Sequence, residues 1–268
     1  RGLRVASTEG DFEVAPVLVV ARAAELPAVD FVLLGVKTWQ VREAVSDLGA
    51  ALSGGGAVLT LQNGVEAPDE VASLWGEAAV LPGLCRLMSY VEAPGVIRHA
   101  GVRPRIEFGE TSGAKSPRVE ALLEAFSTCR GVVALSAPDI QAALWDKFLF
   151  IAPFSAMGAA TRKPAGLWRD VPEARRMLEA AMREVVTLAR ARGVNLPDEA
   201  VARTMGFVDR LQADATASMQ RDLLDGKPSE LEAQTGAIVR LAAAASVSVP
   251  VNEFLYSILL PGERQARS

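Results

Sequence analysis

This 268-residue chain has one histidine and two cysteines, and that scarcity excludes several chemistries at once. A lone His99 rules out a histidine-based metal cluster and argues against a catalytic triad. Cys85 and Cys129 are too few for a disulfide framework or a cysteine zinc site, and they fit a reducing cytoplasm. Charge of one sign is also missing. With 28 basic and 32 acidic residues the net charge is −4, so no broad basic surface for nucleic acid is expected. No apolar run suits a membrane span, since residues 151–160 are too few and include Pro153. No signal peptide is visible. GxGxxG is absent as well. The glycine run Gly54-Gly55-Gly56 precedes an apolar run instead of following one, the wrong order for a phosphate loop, and is read as the end of a helix. Acid–base chemistry must therefore draw on Lys, Glu, Asp or Tyr.

What the chain does have is a hydrophobic half, at 50 % of its residues, enough to fill one large or two modest domains. Residues 2–6 and 11–14 flank a turn and predict a hairpin. Residues 31–36 form an apolar run of the kind found in a strand covered on both faces. Helical spacing over 40–52 and a second apolar run at 57–61 complete a βαβ unit with a parallel strand pair. Further short strands are expected at 79–81, 85–91, 96–99, 106–108 and 132–135, with a helix over 117–130. After Pro138 the pattern becomes helical, over 139–160, 171–192, 197–211, 229–245 and 251–259. Met177, Leu178, Ala181, Val185 and Leu188 mark one buried face. The tail after Pro261 is expected to fray. The reading is an α/β domain over 1–137 followed by an all-α domain over 138–268.

Candidate site residues fall into three groups. Lys37 and Asn63 directly follow the two parallel strands, at the sheet edge where ligands bind in open parallel sheets. A cation beside an amide suits an anionic or carbonyl ligand. A solvated helix-start lysine and a plain Asn-Gly turn explain them equally simply. Lys147 opens a stretch, 148–160, without a charge. An ammonium beside such a segment either snorkels or pairs with Asp146 or Asp139, or it serves a cleft as proton donor or anion anchor. Ser229 and Glu232 have the spacing of a capping box. That leaves Glu230 for a role in the first helical turn, where the helix dipole also favours its charge.

Taken in order, Asp30-Phe-Val-Leu-Leu-Gly-Val-Lys37-Thr-Trp-Gln40, Leu61-Gln-Asn63-Gly-Val, Trp145-Asp-Lys147-Phe, Ser218-Met-Gln-Arg-Asp222, Gly226-Lys-Pro-Ser-Glu230-Leu-Glu and Pro250-Val-Asn252 resemble the ketopantoate reductase family over essentially the whole chain. The resemblance implies an incomplete Rossmann-type parallel-sheet domain that binds NADP(H), then an all-helical C-terminal domain like that of 6-phosphogluconate dehydrogenase, with the active site in the cleft between them. It implies an enzyme that reduces a small 2-oxo acid, 2-dehydropantoate to (R)-pantoate, and a homodimer is left open. By the same resemblance Lys147 is the proton donor and Glu230 the carboxylate that organises it. Asn63, Ile151, Ser155 and Ser218 would line the substrate, and Lys37, Gln40, Asn63 and Glu230 would face the cofactor.

Two departures set further expectations. The family opens with a strand, GxGxxG, a helix and a second strand, roughly forty residues in all. Here the chain opens at Arg1, near the hairpin that follows that segment. A chain without the segment should bind NADPH poorly and expose a sheet edge. The family commonly has asparagines one and two turns after its catalytic lysine, where this chain has Ile151 and Ser155. A more apolar wall shifts substrate selection, so another oxo acid is an alternative. A third alternative is a non-catalytic helical binding or dimer protein.

Overall fold

The computed structural model describes residues 2–48 and 51–268. The chain divides into two compact units. The first comprises residues 1–62 and 67–140, and the second comprises 63–66 and 141–268.

The first unit is built on one sheet. β1 (Leu3–Ser7) and β2 (Phe12–Val14) form the expected antiparallel hairpin. β3 (Val29–Leu34), α1 (Val41–Ser46) and β4 (Leu52–Thr60) form the βαβ unit, with β3 and β4 parallel. α2 (Ala67–Trp75) leads to β5 (Val80–Ala93), which pairs parallel with β4. β6 (Val96–Phe108), α3 (Pro117–Ser127) and β7 (Val133–Ser136) follow. The strand order is β2-β1-β6-β5-β4-β3, with β7 also on β6. Parallel and antiparallel pairs are mixed, because β5 and β6 are joined directly as a hairpin.

Alternation along β4 explains why both faces are apolar. Val58 packs with Leu34, Val41, Val45 and Val71 on the α1–α2 side. Its neighbours Ala57 and Leu59 pack with Leu81, Phe108, Val119 and Leu122 on the α3 side. Ser116 caps α3, its Oγ accepting from Val119 N–H at 3.3 Å, and Pro117 takes the first helical position. Among the described residues β3 ends the strand order, and Leu33 on it is 47 % exposed.

Several expectations need correcting. Gly54-Gly55-Gly56 lies within β4 and does not end α1, whose last residue is Ser46. Residues 49–50, in the expected tail of that helix, fall outside the described residues. The short strands expected at 85–91, 96–99 and 106–108 are parts of two long strands, β5 and β6. The register shift between Arg86 and Met88 and the exposure of Leu87 and Met88 break the apolar pattern without breaking the pairing.

The second unit is helical: α4 (Ile140–Thr161), α5 (Ala165–Trp168), α6 (Pro172–Ala191), α7 (Ala200–Asp209), α8 (Ser218–Leu224), a π turn (Glu232–Gly236), α9 (Ala237–Ala245) and α10 (Pro250–Ala266). α4 is apolar almost all round, and Leu144, Phe148, Leu149, Ala152 and Met157 are buried accordingly. α6 shows one stripe: Leu178, Ala181, Val185 and Leu188 are buried, whereas Met177 lies outside it at 38 % exposure. Glu184 accepts from the Val251 and Asn252 amides and so satisfies the free N–H groups at the start of α10. The tail after Pro261 does not fray. It remains helical through Ala266, because Glu263 on it is buried and bonded. The capping box at 229–232 does not form either. Glu232 accepts instead from Arg240 at 3.0 Å and Tyr256 at 2.7 Å.

Candidate active site

In the first unit the carboxyl ends of β3 and β4 carry the loops expected to bind. Gln62 ties them together. Its buried amide donates to the carbonyls of Leu34 at 2.7 Å and Val36 at 3.1 Å, which fixes where the chain leaves β3. The next turn carries Lys37 and Gln40. Lys37 N–H donates to Gln40 Oε1 at 3.2 Å, and Lys37 Nζ lies 5.8 Å from the Trp39 ring centre. Gln40 also lines an open cleft of about 550 Å³ with Arg22, Val36, Glu43 and Asp47.

The second unit carries the others. Asn63 Nδ2 donates to Glu230 Oε2 at 2.9 Å, joining residues 167 positions apart. Glu230 is only 4 % exposed, so this charge-assisted bond answers a carboxylate largely removed from water. Gly64 makes the approach possible. Its φ is +98°, and a Cβ there would stand 2.6 Å from the Ala233 carbonyl oxygen. Arg240 adds a second tie, donating to Glu66 at 2.8 Å and Glu232 at 3.0 Å. Tyr256, which donates to Glu232, has its phenol pKa raised, first by burial and then by that bond.

Lys147, Ile151 and Ser155 occupy successive turns of α4 and so share one face. Lys147 and Ile151 are half-buried. The neighbouring Asp146 is bonded to Arg203 of α7. Ser155 is fully buried, and its Oγ has no hydrogen-bond partner among the described residues, a condition that invites a polar ligand. Ser218 opens α8. Gln220, two residues on, packs against Gly158 of α4, where a Cβ would come within 2.3 Å of its Oε1. Among the described residues no group of three or more His, Cys, Asp or Glu could hold a metal. His99 has a structural role, bonding Ser7 Oγ at 2.8 Å and the Val102 carbonyl at 2.9 Å.

The structure therefore brings Asn63 to Glu230, pairs Lys37 with Gln40 on one turn, and aligns Lys147, Ile151 and Ser155. Sequence reasoning gave no role to Gln62, although it lies inside a quoted motif, nor to Arg240, whose partners are distant in sequence.

Comparison with known proteins identifies the family and the fold. Two family models match, "Ketopantoate reductase PanE/ApbA" over residues 1–113 and "Ketopantoate reductase PanE/ApbA C terminal" over 139–263. A 2-dehydropantoate 2-reductase of Halobacterium salinarum is 31 % identical over 98 % of this chain and 86 % of its own length. The chain belongs to the ketopantoate reductase family. Its fold is that of the family, a Rossmann-like domain followed by a helical one. The 2-dehydropantoate 2-reductase of Geobacter metallireducens superposes with a TM-score of 0.88 at 29 % identity, covering 97 % of this chain and 86 % of that one. A D-mandelate dehydrogenase solved with NADH and anilino(oxo)acetate has the same fold, with a TM-score of 0.87 at 19 % identity over 99 % of this chain and 86 % of that one.

The family consists of nicotinamide-dependent oxidoreductases, and the donor set suits the nicotinamide end of such a cofactor. An amide bonded to a buried carboxylate, Asn63 and Glu230, can serve a carboxamide or ribose hydroxyls. Among the described residues no helix is long and apolar enough to cross a membrane.

Proposed function

We propose that this chain reduces the ketone of a 2-oxo acid with NADPH, and that 2-dehydropantoate is its substrate, giving (R)-pantoate for pantothenate biosynthesis. The observation that carries the reading is the Asn63–Glu230 bond, in the same unit as a half-buried Lys147 on an apolar helix. NADPH, when bound, supplies the hydride. In this reading residues 1–137 bind NADPH, with Lys37 and Gln40 among the contacts, and residues 138–268 bind the substrate. As the carbonyl carbon is reduced, charge builds on its oxygen. The Lys147 ammonium stabilises that charge and then delivers its proton, so that the ketone becomes an alcohol. Glu230 holds the ammonium in place. Asn63, Ser155 and Ser218 supply hydrogen bonds to the acid, and Ile151 forms an apolar wall.

That wall favours a second reading, a bulkier or less polar oxo acid, and the fold shared with a D-mandelate dehydrogenase makes aromatic oxo acids the first to try. Two unpaired cysteines suit a cytoplasmic enzyme. Phe254 and Ile258, exposed one turn apart on α10, support a homodimer. A panel of 2-oxo acids assayed with NADPH and with NADH tests the assignment. It predicts highest kcat/KM for 2-dehydropantoate with NADPH. A large preference for an aromatic oxo acid would move the substrate, and a preference for NADH would move the cofactor.

A further inference from the structure

The last turn of α10 holds a buried carboxylate for which the reaction described above has no use. Glu263 is 1 % exposed, and burying a carboxylate is costly unless donors surround it. Three do. The Ser229 amide donates to its Oε2 at 3.0 Å, Ser229 Oγ to the same oxygen at 2.5 Å, and Arg267 Nε to its Oε1 at 2.5 Å. Arg267 then turns back and donates through Nη2 to the Ser229 carbonyl at 2.8 Å. Both ends of one residue, its N–H and its C=O, are thus gripped by two side chains a helical turn apart. The gripped carbonyl belongs to the peptide that leads into Glu230. Ser229 Oγ also accepts from Leu231 N–H at 3.2 Å, so the hold extends past Glu230 on the other side. Immediately downstream the chain enters the π turn, where the Gly236 amide bonds the Leu231 carbonyl at 2.9 Å. A π turn is a rare backbone arrangement that recurs at functional sites.

We propose that Glu263 and Arg267 are positioning residues. They clamp the Ser229 peptide so that the Glu230 carboxylate, at the mouth of the π turn, stays directed at Asn63. The proposal rests on the reading of Glu230 as the carboxylate that organises the reaction. It makes the far end of the chain part of the active site's support, with no contact to substrate required.

The test uses the full chain and the variants Glu263→Gln, Arg267→Ala and Glu230→Gln. The direct readout is the Asn63 side-chain amide resonance in the cofactor-free protein, which reports its bond to Glu230. The clamp predicts that Glu263→Gln and Arg267→Ala shift this resonance toward its position in Glu230→Gln. Their kcat should fall by about 10- to 100-fold, the scale set by a displacement of about 1 Å, with KM little changed. Arg267→Ala should add nothing further to kcat in a Glu230→Gln background, since it acts through that residue. An Asn63 resonance unmoved in both clamp variants overturns the proposal, even if their melting temperatures drop. Unchanged turnover in Glu230→Gln would instead remove Glu230 from the chemistry, and the resonance would still decide the clamp. Arg267 is partly exposed, so its variant should fold even if Glu263→Gln does not.

Discussion

The two units treat buried polar groups differently. Among the described residues, the sheet unit buries Thr60, Gln62 and His99, and the latter two satisfy local carbonyls and a serine. The helical unit buries two carboxylates, Glu230 and Glu263. It also buries Ser155, Gln234 and Thr235, whose side-chain polar atoms lack partners. Buried polar groups are costly, and a fold keeps them where something else requires them. In the sheet unit Gln62 and His99 tie the chain, and Thr60 Oγ1 lacks a partner among the described residues. In the helical unit more of the described groups lack partners, and Ser155 among them is a candidate site residue. The sheet unit offers its candidates, Lys37 and Gln40, from a turn outside the strands.

If that contrast is right, the largest effect should come from the helical unit. Lys147→Ala should lower kcat by about 10²- to 10⁴-fold, the usual worth of a positioned acid, with the melting temperature nearly unchanged. A steady-state assay with thermal melts on the same preparation checks both halves. The same substitution at Lys37 should act mainly on the KM for cofactor, and an equal loss in kcat there would erase the distinction. Next in size is Gly64→Ala. A left-handed φ of +98° and a carbonyl 2.6 Å from the new Cβ should cost about 1–3 kcal/mol in urea unfolding. A neutral result would mean that the 63–66 segment is not held against Ala233.

The smallest effect belongs to the sheet unit and is pH-dependent. Arg118 donates to Glu110 and holds its carboxyl below the ordinary value of 4.5, and Ser116 Oγ donates to it as well. A lowered folded pKa contributes stability that is complete above the ordinary value and lost as pH falls through the folded one. Glu110→Gln should therefore be less stable than the parent at neutral pH and converge with it in acid. Parallel stability curves down to about pH 3 would show that the pair contributes nothing.

Much of this was legible in the sequence, for reasons that individual residues make plain. The run before Lys37 and the spacing on α6 are local patterns: a continuous apolar run located β3 to within two residues, and helical spacing located the buried stripe apart from Met177. The order and spacing of short motifs was enough to point to the family, although each alone is a weak signal. Local pattern misled at Gly54-Gly55-Gly56, where glycines usually taken as breakers sit inside a strand. It misled again at 261–268, where polar residues read as a frayed tail include Glu263, buried through partners more than thirty positions away. The Asn63–Glu230 bond has the same character. Long-range pairing of polar groups has no period, so a single sequence shows the residues and not their partners.

The most direct measurement is a structure of the protein with a slowly reacting 2-oxo acid analogue bound. The account predicts the carbonyl oxygen within about 3 Å of Lys147 Nζ, as a proton donor requires, with Ser155 Oγ bonded to the ligand. An analogue seated away from α4, with Lys147 turned from it, would contradict the assignment of the chemistry to this helix.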